Sequence, residues 1–454
     1  MIEISGLNAL SDSGRAWSVA FFVTLALAIS GFGANAVAGP AKAVGAMTCG
    51  ASTCHSAEKP WPNSSVTQQE FVVWKQKDPH AKAYETLTGE RAQSISRRLG
   101  LGDATQASLC LSCHSYTPEP EEIETTFDHT LGVQCEACHG KASEWLGVHQ
   151  AGLYFYQRNV DEGMYPTTDA KKRAELCLSC HVGSQDKFVN HNMLAVGHPR
   201  LPFELGFYTW FSEGTPGKIS NYSHFKVDDD YLQRKPWPFG VRVWAIGQAI
   251  QARTLLELLT DPKTGSNGAF PEFAFFECHS CHNAQVSGQG FQGTLGLPRL
   301  NDANLFFVEV AAGLVDPGLA ASVRSDIDAL RSAKGQGWPA IRAVAGRLKS
   351  RLDQLVARLD THKYTVDDTR RAIREISAGA QRGVFSSYIA AEQAVLATGS
   401  LVDELERLRE LTPQQTNAAQ SAVSRGLAAF VSVDRYSQGE LRAALRDVAA
   451  VTTQ

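Results

Sequence analysis

The ten cysteines of this chain stand in five close pairs, and a histidine follows each pair directly. Four pairs have the spacing Cys-x-x-Cys-His, and the first pair has four residues between its cysteines. Two thiols at the shorter spacing can each add to a vinyl group of one porphyrin, while the adjacent imidazole ligates the iron from the proximal side. The sequence therefore predicts covalently bound haem c, in five copies when the wider first pair is included.

The candidate residues of these sites follow from the pairs. The haem-attachment cysteines are Cys49, Cys54, Cys110, Cys113, Cys135, Cys138, Cys177, Cys180, Cys278 and Cys281, and the proximal ligands are His55, His114, His139, His181 and His282. In the first pair, the extra residues can bulge while both sulfurs still reach the porphyrin. Zinc ribbons, the alternative for Cys-x-x-Cys, do not require a histidine after every pair. Thioredoxin-like redox pairs are disfavoured because no alternating strand and helix pattern surrounds them.

Eight histidines remain after the proximal ligands are assigned, and six-coordinate bis-His iron needs one further imidazole per haem. The distal candidates are His80, His129, His149, His191, His198 and His224. His279 lies inside its own cysteine motif, and His362 lies far from any cysteine, which disfavours both as ligands. Met164 and Met193 are alternative thioether ligands.

Three segments carry a resemblance to a known family. They are Asp78-Pro79-His80-x-x-x-Tyr84, the run from His129 to Gly140 that contains Cys135-Glu136-x-Cys138-His139, and the run from His191 to Leu201. Over roughly residues 45–285 the chain resembles multihaem cytochromes of the cytochrome c-554 and hydroxylamine oxidoreductase-like group. The resemblance implies that the histidine upstream of a motif serves a different haem, and that His149 is a further ligand between haem segments.

The elements that must position these residues divide the chain at residue 300. We expect a mainly α protein: a haem-packed multihaem cytochrome domain over residues 39–300, with short helices and long loops, and a C-terminal helical bundle over residues 301–454. Apolar spacing predicts a buried helix from about Val241 to Thr260 and five to seven helices beyond residue 300. Capping boxes are predicted at Thr365, Thr412 and Ser437.

The N-terminus predicts export. An apolar run from Trp17 to Phe32 ends in small residues up to Ala38, which is typical of a secretory signal peptide over residues 1–38. An uncleaved membrane anchor is the alternative, because acidic residues precede Arg15. We therefore expect a periplasmic or otherwise exported protein, free or tethered at its start.

Two functions fit these features. The first is electron transfer between redox partner proteins along closely packed, largely bis-His haems. The second is oxidation or reduction of a small nitrogen or sulfur compound at one five-coordinate haem. The carrier is favoured, because the histidine supply can saturate every iron and because the Cys-x-x-Cys-Lys motif of pentahaem nitrite reductase is missing. Forty-three basic against 47 acidic residues disfavour nucleic-acid binding, and the C-terminal helices are predicted to mediate oligomerisation or partner docking.

Overall fold

The computed structural model describes residues 40–62, 66–151, 156–212, 215–219, 240–264, 272–278, 300–430 and 436–453. The predicted signal peptide lies outside these residues, as do Cys281, His282, His224 and His279. The described residues from Lys42 onward belong to one compact unit. Among the described residues, no helix combines the length and the apolar character needed to cross a bilayer.

The described residues are mainly helical, so the predicted class is confirmed. The helices are α1 (Ala46–Cys49), α2 (Glu70–Lys77), α3 (Ala83–Thr88), α4 (Glu90–Arg98), α5 (Ser108–His114), α6 (Cys135–His139), α7 (Leu146–Gln150), α8 (Tyr156–Asp161), α9 (Ala170–His181), α10 (His191–Ala195), α11 (Leu205–Trp210), α12 (Gly240–Thr260), α13 (Ala303–Val315), α14 (Pro317–Ala333), α15 (Trp338–Thr361), α16 (Val366–Gln381), α17 (Tyr388–Arg407), α18 (Pro413–Ala428) and α19 (Gln438–Thr452). Strands β1 (Phe211–Ser212) and β2 (Thr215–Ile219) pair antiparallel, with Phe211 opposite Ile219.

Short 3₁₀ turns supplement these helices. They span Pro79–Lys82, Pro120–Glu122, His129–Leu131, Phe273–Phe275 and Lys334–Gln336. Two of these turns carry predicted distal histidines, and in each an aspartate caps the first turn: Asp78 accepts a hydrogen bond from the amide of His80, and Asp128 accepts one from the amide of Thr130. The caps fix the backbone on which the two imidazoles are mounted.

The largest apolar core crosses the predicted boundary at residue 300. It includes residues from Ala170 in α9 to Val448 in α19, with Trp244 and Leu348 fully buried. The predicted helix near Val241–Thr260 is confirmed as α12, which packs extensively against both α9 and α15. A helix bearing the fourth cysteine pair and the cysteine-free tail therefore share one core. The division of the chain at residue 300 stays a prediction about where haem binds.

The tail beyond residue 300 contains seven described helices, α13 to α19, as the apolar spacing predicts. The side chains of Thr365 and Thr412 form complete capping boxes with Asp368 and Gln415. At Ser437 the prediction is only half right: its side chain accepts from the amide of Glu440, and no reciprocal bond from the glutamate is formed. The start signals therefore located all three helices.

The cysteine-rich segment before α9 has a different construction. Its described helices are four to nine residues long, and its apolar contacts fall into two small clusters. One cluster centres on Trp145 and Met164, and the other on Phe71 and Trp74. Clusters of this size bury little apolar area per residue. Most of the described core of this protein lies elsewhere, so the segment depends on another source of apolar contact.

Replacement of Leu348 by alanine tests whether the core is shared. The cavity is expected to lower the free energy of unfolding by about 2–5 kcal/mol. Because α15 packs on α12 and α12 packs on α9, the haem absorbance and the far-ultraviolet circular dichroism should shift together to lower denaturant. Leu101→Ala, at a residue that is 39% exposed, is the control and should shift neither. A haem transition that stays at the wild-type midpoint would show that the two regions unfold independently.

Candidate haem-attachment sites

Three of the Cys-x-x-Cys-His motifs form the last turn of a helix. Helix α5 ends at His114, α6 ends at His139, and α9 ends at His181. Residues three and four apart lie on the same side of a helix. The two thiols and the imidazole of each motif therefore leave the backbone on one face, which is the arrangement that attachment to a single porphyrin requires. Of the fifth pair, the described residues include only Cys278.

The first pair, with its wider spacing, closes into a turn at the end of α1. Cys49 is the last residue of this helix, and its carbonyl oxygen accepts a hydrogen bond of 3.3 Å from the amide of His55. The amide of Cys54 donates to the carbonyl oxygen of Ala51 at 2.9 Å. The additional residues are thus taken up as a compact turn, and both cysteines and the histidine stay close together.

The first and third pairs are joined by one buried carboxylate. Glu136, which lies between the cysteines of the third pair, accepts hydrogen bonds from the amides of Val44 (2.9 Å), Gly45 (2.7 Å) and Ala142 (2.7 Å). The first two amides immediately precede α1, so the carboxylate holds the start of that helix against α6. Buried carboxylates need such donors, because their desolvation is otherwise costly.

Thiols from different pairs lie next to one another. The thiol of Cys135 donates to the sulfur of Cys49, which lowers the pKa of Cys49 and raises that of Cys135. The thiol of Cys113 donates to the sulfur of Cys180, which lowers the pKa of Cys180 to about 5. The eight cysteines of the first four pairs form no disulfide.

These contacts give a spatial order of the pairs that differs from their order in the sequence. The first pair adjoins the third, and the fourth adjoins the second. Cys138 of the third pair interacts electrostatically with Cys177 of the fourth, and burial raises the pKa of Cys138 to about 12. The four described motifs therefore follow one another in space as first, third, fourth and second.

In two pairs of histidines, the rings lie at the distance that two ligands of one iron require. The ring centroids of His55 and His149 are 5.9 Å apart with 17° between the planes, and those of His80 and His181 are 6.2 Å apart with 83° between the planes. A metal–imidazole bond is about 2 Å long, so two imidazoles on opposite sides of one metal have centroids roughly 6 Å apart. Each pair combines a predicted proximal ligand with a predicted distal ligand from another segment.

In each of four candidate histidines, Nδ1 takes part in a hydrogen bond. The Nδ1 of His55 donates to Glu70 (2.8 Å) and that of His80 donates to Asp78 (2.9 Å). The carbonyl oxygens of Ala83 and Pro199 accept from the Nδ1 atoms of His114 (2.9 Å) and His198 (2.8 Å), respectively. Such bonds fix the tautomer and leave Nε2 as the atom that can bind a metal.

The carboxylate partners were not predicted as site residues. Glu70 follows His55 by fifteen residues, and no spacing in the sequence connects the two. Its hydrogen bond raises the pKa of His55. Asp78 had a detectable signal, because an aspartate two residues before His80 is the residue type that caps a turn.

Gly132 brings the third motif close to the segment that carries His80. Its φ of 78° lies in the left-handed region, and a Cβ on it would stand 2.7 Å from the carbonyl oxygen of His80. The amide of Val133 donates to that same oxygen at 3.0 Å. Only glycine combines this conformation with this approach.

The other distal candidates have these surroundings. The rings of His198 and His114 interact electrostatically, and burial lowers the pKa of His198. The ring of His129 packs edge-on against Tyr84, with centroids 5.6 Å apart. The ring of His191 packs edge-on against Phe273 at 5.3 Å. His224, Cys281 and His282 lie outside the described residues, so their predicted roles stay predictions.

Phe203 is a further residue that no sequence pattern would have selected. Its ring stacks on that of His181, with centroids 4.2 Å apart and 16° between the planes. Burial lowers the pKa of His181 to about 4, which favours the neutral imidazole that iron binds. The two methionines considered as ligands, Met164 and Met193, are both buried.

The chemistry of this donor set fits haem c. The four motifs offer thiols outside disulfides beside an imidazole, as thioether attachment and axial ligation require. Within the described parts of the chain, no three His, Cys, Asp or Glu side chains come together as ligands of an isolated metal ion.

Known proteins resemble the part of the chain that carries these motifs. Residues 49–140 match the family described as cytochrome c554 and c-prime. The multiheme cytochrome MtrA of Shewanella baltica is 32% identical over 94 residues, which are 19% of this chain and 26% of the relative. Cytochrome c-554 of Nitrosomonas europaea is 27% identical over 136 residues, which are 26% of this chain and 54% of the relative.

The predicted resemblance to multihaem c-type cytochromes is confirmed. It implies haem c as the cofactor and supports electron transfer as the general role. The chain spans about a quarter of one relative and about half of the other. No solved structure matches it.

Replacement of Glu70 by glutamine is expected to raise the reduction potential of the haem at the first pair. The carboxylate makes the bound imidazole a stronger donor to iron, which favours the ferric state. Spectroelectrochemical titration of the full-length protein should show one haem shifted and the others unchanged. Glu124→Gln is the control, because it removes an exposed carboxylate whose partner is Lys42. Equal titration curves for the two variants would contradict the assigned role of Glu70.

Proposed function

We propose that this protein is an exported pentahaem c-type cytochrome that passes electrons between redox partner proteins. The observation that carries this proposal is the arrangement of motifs as neighbours, with imidazoles from separate segments facing each other at 5.9 and 6.2 Å. Haem c supplies reversible one-electron chemistry at iron. The chain's part is to fix the spacing of the haems, their ligands and their potentials.

The proposed ligand assignment follows the histidine contacts. His55 and His149 serve the haem at the first pair, and His181 and His80 serve the haem at the fourth. His114 is the proximal ligand at the second pair, and His198 is proposed as its distal ligand, because the two histidines lie near enough for the charge of one to lower the pKa of the other. Each distal ligand comes from a segment other than its own motif, so haem binding ties distant parts of the chain together.

The third and fifth pairs complete the proposed set. His139 and His282 are their proximal ligands, and His129, His191 and His224 are the remaining distal candidates. His191 supports the fifth haem, because its amide donates to Glu272 at 2.7 Å, six residues before Cys278. Cys278 also interacts electrostatically with Arg200, two residues from His198. The fifth haem is therefore proposed to lie next to the second.

The proposed conduction path follows from the spatial order of the motifs. Electrons would pass along the haems of the first, third, fourth, second and fifth pairs, so the ends of the path lie at the first and fifth pairs. Rigid bis-His ligation limits the rearrangement that accompanies a change in iron oxidation state. Partner proteins would then exchange electrons at opposite ends of the series.

The proposed location and assembly extend this role. The apolar run over residues 17–32 supports export through a signal peptide or an N-terminal anchor. The seven helices of the tail are proposed to provide a surface for self-association or for docking a redox partner. The size of the full-length protein in solution tests the first of these, and a monomer would contradict it.

Replacement of His149 or His80 by alanine tests the ligand pairs. Each change is expected to leave one iron five-coordinate, so that one haem of the ferrous protein binds carbon monoxide without the ligand dissociation that the wild type requires. His362→Ala is the matched control, because this histidine lies next to Asp368 in the tail. Variants whose spectra match the control would reject the pairing. A wild-type protein in which one haem binds carbon monoxide without a preceding ligand dissociation would favour the enzyme over the carrier.

A further inference from the structure

One segment connects two of the proposed iron ligands with the haem-free tail. We call residues 197–207 the strap. His198 stands at its beginning, and Phe203 in its middle stacks on His181 at 4.2 Å. Residues 198–204 form neither helix nor strand. Since the strap has no regular structure of its own in this stretch, its position depends on what it packs against.

Helix α17 provides the polar contacts of the strap. The guanidinium of Arg200 donates to both carboxylate oxygens of Glu392, at 2.9 and 3.0 Å, and also lies over the ring of Tyr388 at 5.3 Å. The side chain of Gln393 donates to the carbonyl oxygen of Phe203 at 2.7 Å, and this bond is buried. A bidentate Arg–carboxylate pair fixes the relative orientation of the two side chains as well as the distance between them.

The C-terminal part of the strap is fixed by close packing. Glu204 is fully buried, and its carboxylate accepts from the amides of Gly206 (3.0 Å) and Phe207 (2.6 Å) at the start of α11. The ring of Phe207 lies against Gly399 of α17, where a Cβ would stand 3.2 Å from it. The strap is thus anchored at this end, and at its start the carbonyl oxygen of Gly197 accepts from the guanidinium of Arg91 at 2.7 and 3.2 Å. The contacts with Glu392 and Gln393 lie between these two ends.

We propose that α17 is a positioning element for iron coordination. Glu392 and Gln393 hold the strap so that Phe203 stays stacked on His181 and His198 keeps its position near His114. This inference rests on the proposed ligation by His198 and His181. It assigns the tail a role within the chain, which is to set the coordination and hence the reactivity of two haems to which it contributes no ligand.

The position of His198 explains why the contacts matter. A distal imidazole can dissociate from the iron and bind again. On an irregular segment, its effective concentration at the iron depends on the contacts that hold that segment. Loss of the Arg200–Glu392 pair removes the side-chain anchor that follows His198 by two residues. The Nδ1 bond of His198 is to the carbonyl oxygen of Pro199, which moves with the strap and cannot substitute for the lost anchor.

The test is the rate at which carbon monoxide binds to the ferrous full-length protein. At saturating gas this rate is limited by dissociation of the distal imidazole. Gln393→Met, which removes one hydrogen bond to the strap, should create a phase with the amplitude of one haem that is roughly tenfold faster than in the wild type. Glu392→Ala, which removes both bonds from Arg200, should create a phase of the same amplitude that is at least as fast. The charge-exchanged variant R200E/E392R should restore the wild-type rate in part.

Two further variants make the outcomes distinct. Asp447→Asn breaks the exposed pair with Arg425 (2.9 Å) elsewhere in the tail, so it should leave every phase unchanged. His198→Ala removes the proposed ligand itself and should give one haem that binds without a dissociation step. If it does, while Glu392→Ala and Gln393→Met behave like Asp447→Asn, the positioning role is overturned and the ligation stands. If His198→Ala shows no new phase, the ligation fails, and the inference fails with it.

Discussion

The juxtaposition of imidazoles from separate segments, at the distance that two ligands of one iron require, is the constraint on which this structure depends. A proximal histidine is fixed by its own motif, but its partner lies in another segment, as with His80 and His181, which are about a hundred residues apart. The chain must bring such segments so close that the centroids of the two rings lie roughly 6 Å apart. It does so with few apolar contacts before α9, where the described clusters are small. Coordination and covalent attachment would thus stabilise a segment that side-chain packing stabilises weakly.

Hydrogen bonds and close backbone packing around the histidines set the orientation of their rings. Carboxylates or backbone carbonyls accept from Nδ1 of His55, His80, His114 and His198. Glu136 fixes α1 against α6 with three amide hydrogen bonds, and Gly132 allows the third motif to approach His80. These features define both the ring orientation and the spacing between motifs. Electron transfer between neighbouring haems depends on the same two quantities.

Local patterns made the attachment residues and the helices predictable. The cysteine spacing identifies the motifs because the chemistry acts within five residues, and apolar periodicity located α12 and the seven helices of the tail. Contacts between distant segments were not predictable. No spacing connects Glu70 with His55, Phe203 with His181, or Glu392 with Arg200, because each contact is created by the tertiary fold. The spatial order of the motifs was unpredictable for the same reason.

The tail contacts the rest of the chain through the strap and through the shared core. Helix α9 carries the fourth motif at its end and packs on α12, which packs on α15. Helix α17 holds the strap through Glu392 and Gln393. Under the proposed ligation, the tail would therefore influence haems to which it contributes no ligand, because packed elements transmit displacement.

The most direct test of the central claim is the low-temperature electron paramagnetic resonance spectrum of the ferric full-length protein, integrated against its haem content. Near-parallel imidazoles give a rhombic low-spin signal, and perpendicular imidazoles give a strongly anisotropic one. The angles of 17° for His55 with His149 and 83° for His80 with His181 predict one signal of each kind from these two haems. A spectrum dominated by high-spin iron, or a purified protein without haem, would contradict the account.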